Sequence, residues 1–338
     1  MHVAVHPEME GSTKVIFAAL AGNLAIAITK FAAAAITGSS AMLSEGVHSV
    51  VDTGNQGLLL YGMRRARLPA DERFPFGHGK EIYFWSFVVA LLVFAAGAGV
   101  SFYEGVMHLR HPVEMTRPYV NYTVLAIAAV FEAGSWLVAF REFRATKGPR
   151  GWFDAVRRGK DPTHFVVLFE DSAALAGIAV AFLGVLAGDL TGDARYDGAA
   201  SMAIGLILAF TAFLLARETK GLLIGESANR EVVAKIRSLA ARYPEVPRVH
   251  EILTMHMGPD FILANLAIEL ACDAPRERAH EILDALDHDI KRADPRVKRV
   301  FIEVQNECPP AAAEPPPVTS RREPSADPAL AGRGRPAH

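Results

Sequence analysis

The stretch Ser39–Asp52, SSAMLSEGVHSVVD, places His48 and Asp52 four residues apart inside a segment that otherwise reads as membrane-embedded. Helical spacing of i and i+4 stacks the two side chains on one face. An imidazole and a carboxylate therefore point together into whatever that face lines. A carboxylate at membrane depth costs about 2.5 to 3.5 kcal/mol on insertion scales, and such groups face a cavity, a partner or an ion pathway. The surrounding span, Ala41–Met63, also carries Glu45, Asn55 and Gln56. A helix this polar survives in lipid only where protein or water covers that face. The pair could also be no more than a buried hydrogen-bonded couple.

Working outward, five further apolar segments are long enough to cross a bilayer, for which about 20 helical residues suffice. They are Thr13–Ile36, Glu81–Met107, Tyr119–Phe140, Thr163–Ala187 and Ala199–Ala216. Asn23, Thr29 and Lys30 are the polar members of the first, and Lys30 is placed to snorkel from near its end. The basic loops follow the second and fourth spans, RRARLPADERFPFGHGK and REFRATKGPRGWFDAVRRGKD. The positive-inside bias puts both in the cytoplasm, and with six spans both termini join them. No charged and apolar leader with a small-residue cleavage site precedes the first span, so no cleaved signal is expected.

After Arg217 the composition becomes that of a soluble domain. Glu231–Tyr243 has helical periodicity, Val249–Met257 and Phe261–Leu270 read as strands around GPD, Arg276–Arg292 is an amphipathic helix, and Val297–Val304 is a last strand. The expected organisation is a tail at 1–12, a six-span all-α membrane domain at 13–217, a small cytoplasmic α+β domain at 218–308, and a Pro- and Ala-rich disordered tail at 309–338.

Composition agrees. Of 338 residues, 51% are hydrophobic, and a net charge of -2 gives no reason to expect a nucleic-acid partner. The two cysteines, Cys272 and Cys308, offer neither a disulfide framework nor a thiolate zinc site.

The fifth span carries Glu170 and Asp171 within VVLFEDSAALAG. Two helices that both present acids at membrane depth repel each other unless a cation or protons lie between them. Mixed imidazole and carboxylate ligands suit a first-row divalent ion, tetrahedral zinc above others, whereas magnesium and calcium prefer all-oxygen sets. His48, Asp52 and Asp171 are the nominated ligands. Glu170 lies about 100° round the helix from Asp171 and is a tentative fourth. His164 shares the face of Asp171 about two turns below and could serve as an entry residue. Glu132, midway in the fourth span, could bind a proton or satisfy a neighbouring helix. Glu104 reads as interfacial, and Asp197 either guides cations outward or solvates its loop. Asp71 and His78, flanking the FPFG turn, could form a peripheral metal site, while Lys80 could form a salt bridge with the soluble domain. In that domain His250, Glu251, His256 and His280 are candidate ligands, although surface histidines are common. His2 and His6 fall in the N-terminal tail.

Together the HxxxD of the second span, the acid of the fifth, FGHGK, YDGAAS and LLIGESA resemble the cation diffusion facilitator family over Thr13 to Glu307. The segments LSEGVHSVVDTGNQGLLLYGMRRA and FPFGHGKEIYFWSF look most similar to its zinc transporter 9-like branch. The resemblance implies a ferredoxin-like soluble domain and a homodimer that exports zinc, or a similar divalent cation, in exchange for protons by alternating access. The metal is then cargo and no cofactor is implied. His48 and Asp52 match the family's second-span ligands and Asp171 its fifth-span acid, but Val167 stands where many zinc members have histidine. Asp71 and His78 match a loop site of some bacterial members, with Phe74 where a further histidine can occur. Lys80 matches a lysine that pairs across the dimer. His250 and His280 match soluble-domain ligands, with Asn265 and Val304 where histidines would complete the cluster.

The implied function is a metal/proton antiporter of the inner membrane if the host is bacterial, with iron, manganese or cobalt as alternative cargo. A non-transporting, membrane-anchored, metal-responsive regulator is the rival of another class. An intramembrane metalloprotease would need an HExxH, which the sequence lacks.

Overall fold

The computed structural model describes residues 7–147, 151, 162–271 and 275–305. The chain opens with α1 (Pro7–Thr37) and α2 (Ser40–Ala66). A third rod follows, made of α3 (Glu81–Leu92), a π-helical turn at Val93–Ala98, and α4 (Gly99–Arg110). Then come α5 (Pro118–Lys147), α6 (Pro162–Thr191) and α7 (Arg195–Ile224). Four rods are long and apolar enough to cross a membrane by themselves: Glu81–Arg110, Pro118–Ala145, Phe165–Thr191 and Arg195–Ile224. The polar residues of α2 keep it out of that set.

That polarity is accommodated because α2 is central, packing against α1, α3, α4, α6 and α7. The turn between α1 and α2 is short enough to force an antiparallel hairpin. Gly38, at φ +74°, supplies the left-handed conformation that ends α1, and Ser39 caps α2 by accepting from Met42 N at 3.1 Å. One apolar cluster, with Met42, Leu125, Ile178, Ile204 and Leu208, fills the half of the bundle near this turn. A second, with Leu59, Val89, Phe143, Phe165 and Leu215, fills the half toward the soluble domain. The candidate residues lie between them.

The soluble unit comprises α8 (Arg230–Ala240), β1 (Arg248–Gly258), β2 (Phe261–Glu269), α9 (Arg276–Ala293) and β3 (Val297–Val304), in the expected order. The sheet runs β1-β2-β3, with β1 and β2 antiparallel in the register Thr254↔Ala264. β3 is parallel to β2, with Leu266↔Ile302, because α9 provides the crossover that parallel neighbours require. Ile236 on α8, Leu286 and Ile290 on α9, and Ile262, Leu266 and Ile268 on β2 form its core.

The two parts touch at glycine. A Cβ at Gly79 would collide with the Met257 carbonyl, and Gly258 lies 3.1 Å from the Gly79 Cα. Only a residue without a side chain lets the loop before α3 approach the β1–β2 turn so closely. Beside this contact lies a cavity of about 350 Å³ lined by Arg67, Phe76, Ile82, Phe261 and Lys298, among others.

Candidate functional site

His48 and Asp52 share one face of α2, with Nδ1 and Oδ1 3.3 Å apart. The approach lacks hydrogen-bond geometry. Both imidazole nitrogens and Asp52 Oδ1 are buried without a hydrogen-bond partner. Buried polar atoms are nearly always satisfied, and exceptions at membrane depth point to a ligand that would satisfy them. The bland alternative, a mutually bonded pair, therefore fails on geometry.

On α6 the neighbouring acids face different partners, as their angular offset requires. Asp171 accepts a hydrogen bond from Ser135 Oγ of α5 at 2.8 Å. Glu170 accepts from Asn55 Nδ2 of α2 at 2.8 Å. Both are buried. Glu170, Glu132, Lys30 and Asp171 are the charges close enough to act on Asp52, and Glu132 is half-buried on α5. Among the described residues no three His, Cys, Asp or Glu side chains converge closely enough to hold a metal. The structure thus pairs His48 with Asp52 while keeping Asp171 turned toward Ser135. Val167 packs in the apolar cluster below. The His164 side chain lies outside the described residues, as do His2, His6, Cys272 and Cys308.

Two expectations are corrected. Lys30 does not snorkel: it is fully buried, with Nζ donating to Glu45 Oε2 at 2.9 Å and Ser49 Oγ at 2.8 Å. The carboxylate that Lys30 needs lies across the α1–α2 hairpin, and Lys30 and Glu45 are equidistant from the turn. Two residues so placed on antiparallel helices face each other, and that symmetry is the signal by which the pair could have been found. Asp197 neither solvates a loop nor stands at an open mouth. It is buried and accepts from Ser39 Oγ at 2.6 Å, Ser40 N at 2.5 Å and Ala41 N at 3.3 Å. A carboxylate from α7 thereby satisfies the free N–H groups at the start of α2, where the helix dipole also favours negative charge.

In the loop, His78 Nε2 lies 3.1 Å from Asp71 Oδ2, and Phe74 N donates to Asp71 Oδ1 at 2.7 Å. The Phe74 N–H and then the His78 contact hold the Asp71 carboxyl below its usual range. Lys80 forms no ion pair with the soluble domain of its own chain among the described contacts. Its Nζ reaches Met255 Sδ at 3.6 Å. His250 has Glu269 at 3.7 Å, and His280 has Asp284 at 3.8 Å with both of the latter pair exposed. Asn265 is exposed, and His256 is buried with Nδ1 3.4 Å from the Gly258 carbonyl.

Residues 16–224 match the family described as the cation efflux transmembrane domain, and residues 228–307 the cation efflux protein, cytoplasmic domain. This chain belongs to the cation efflux, or cation diffusion facilitator, family. Among its relatives is the mitochondrial proton-coupled zinc antiporter SLC30A9 of Homo sapiens, 34% identical over 252 residues, covering 74% of this chain and 44% of that protein. Metal tolerance protein C4 of Arabidopsis thaliana is 29% identical over 250 residues, covering 73% and 55%. The cation-efflux pump FieF of Escherichia coli O127:H6 is 26% identical over 261 residues, covering 77% and 81%. The chain spans less than half the length of the SLC30A9 relatives it matches. Among solved structures, the cadmium form of a MamM CTD variant is similar at 23% identity and a TM-score of 0.22, covering 23% of this chain and 98% of that one.

As a cation efflux family member the chain is a multi-pass integral membrane protein. The family's membrane domain ends where α7 ends, at Ile224 rather than Arg217.

Proposed function

We propose that this protein exports a divalent cation, zinc first among them, from the cytoplasm in exchange for protons, working as a homodimer. The observation that carries the reading is the pair His48 and Asp52, buried at the centre of the bundle with three polar atoms left without hydrogen bonds. The acids of α6 stand on the helix packed beside them. The names of the SLC30A9, metal tolerance and FieF relatives support the same class of activity.

His48 Nδ1 or Nε2 and Asp52 Oδ1 take the ion first, since they have no internal bonds to give up. Asp171 joins by releasing Ser135, which needs only rotation of a side chain or of α6. Glu170 stays with Asn55 unless the ion draws it away. Imidazole and carboxylates bind metal only when deprotonated, so loading displaces protons and proton entry from the far side expels the ion. Rocking of the helices around the polar layer exposes it to each side in turn. We take all six rods as crossing the membrane, α2 being shielded by its neighbours. The Lys and Arg of the loops after α2 and α5 put those loops and both termini in the cytoplasm. In a bacterial host the membrane is the inner one. The working units are then a tail at 1–12, the transport domain from 13 to the end of α7, the cytoplasmic domain, and a tail beyond 308. Asp71 with His78, and His250 with His280, are accessory metal positions, and Lys80 is a contact for the second protomer.

The test is metal uptake into proteoliposomes under an imposed pH gradient, comparing zinc, manganese, iron and cobalt for wild type and Asp171→Asn. Gradient-driven flux of one ion, lost in the variant, names the cargo. Absence of flux from a folded, inserted protein sinks the transporter reading in favour of a membrane-anchored regulator.

A further inference from the structure

The proposed transport cycle uses His48, Asp52 and the acids of α6, yet the most completely enclosed charges in the bundle belong to neither helix face. Lys30 of α1 and Glu45 of α2 are both fully buried, with Nζ and Oε2 2.9 Å apart. Removing two ions from water costs more than their attraction returns unless further hydrogen bonds complete the pair. Here the completion is one-sided. The ammonium has a second acceptor in Ser49 Oγ at 2.8 Å, whereas Glu45 Oε1 has no hydrogen-bond partner and is pressed against the backbone of α6 at Gly177, where a Cβ would collide with it.

The pair is also oriented. Ser49 follows His48 directly and precedes Asp52 by three residues, about one helical turn, so the ammonium anchored there is directed toward the polar layer. Glu45 lies one turn from His48 on the side away from the soluble domain. The field of the ammonium reaches His48, Asp52 and Glu132, whereas that of the Glu45 carboxylate is felt at Glu132. The acids facing this arrangement are Asp52, Glu170 and Asp171 from α2 and α6, and Glu132 from α5.

We propose that Lys30 is a resident cation of the transport compartment, held by Glu45 and Ser49 so that its positive end opposes a divalent ion bound at His48 and Asp52. Resting on the export reading above, this makes Lys30 a positioning residue for release. Its charge partly balances the acids when the ion is absent and repels the ion when it is present. Binding is kept weak enough for the ion to leave, a condition any conducting or transporting site must satisfy.

Two variants read this directly. Lys30→Met with Glu45→Gln removes both charges together, which spares the fold the cost of one unpaired ion. Equilibrium binding of zinc to purified protein in detergent should tighten on the order of tenfold, as expected for removing one charge in a partly shielded interior, while the maximum flux in proteoliposomes falls. Lys30→Glu with Glu45→Lys keeps an ion pair and reverses it. A purely structural salt bridge would be restored by the exchange, but zinc affinity should tighten here too, because a carboxylate now stands where the ammonium stood. Unchanged affinity in whichever of the two variants folds overturns the proposal. Binding affinity is read without transport, so a wild type that binds zinc but carries no flux sinks the export reading and leaves the charge effect to be judged by itself.

Discussion

The chain offers histidines and acids in two settings, and the bundle and the soluble domain treat them oppositely. In the bundle, His48 is 1% exposed and no hydrogen bond satisfies its ring, so an external ligand is the remaining partner. In the soluble domain, His280 is 80% exposed with Asp284 beside it, and water satisfies both. Identical residue types at identical i, i+4 spacing thus carry different information. Spacing defines a face; burial decides whether that face demands an ion.

The largest effect should come from Asp52→Ala, which removes half of the central pair. Gradient-driven zinc uptake should fall to the level of empty liposomes while the protein still purifies as a single species, and retained flux would dissolve the contrast between the two regions. Next in size is Asn55→Ala, which leaves Glu170 buried without its donor. A cost of about 1 to 3 kcal/mol is expected, seen as a lowered melting temperature in detergent, and a smaller loss on adding saturating zinc would indicate that Glu170 finds the ion instead.

A smaller effect belongs to the soluble domain. The Arg296 guanidinium, through bonds of 3.0 and 2.8 Å, holds the Asp294 carboxyl below the usual carboxylate range. A carboxyl depressed in the folded state adds stability above the unfolded value and loses it as pH falls through the folded one. Asp294→Asn should therefore lower the melting temperature at neutral pH, and the gap from wild type should close in acid. Equal gaps at both pH values would show that packing, not charge, is at stake. The smallest effect is assigned to His280→Ala. Zinc stoichiometry and uptake should match wild type, and loss of a bound equivalent would raise the soluble histidines to the rank of the buried pair.

Much of the bundle was legible because a span announces itself by composition, and α2 stood out by violating it. The soluble order of helix, strands, helix and strand followed from periodicities that switch between 3.6 and 2. Lys30 was misjudged because a lysine near the end of an apolar run has two outlets, the interface or a carboxylate on the next helix, and composition cannot choose between them. The capping by Asp197 was not readable at all, since Ser40 and its acceptor are 157 residues apart and meet only once α7 packs on α2. Likewise the separate partners of Glu170 and Asp171 follow from Asn55 and Ser135 lying on different helices, which the α6 sequence does not disclose.

The π-helical turn at Val93–Ala98 sets the rotational phase between the two halves of the third rod. A π turn holds one residue more than an α turn, so shortening it by one would rotate everything beyond it by about 100°. Gly105, which now lies so close to α7 that a Cβ would sit 2.6 Å from Met202 N, would swing off that contact. The rod therefore cannot lose a residue there as a loop can. Its length is part of the alignment of the bundle, like the tooth count of a gear.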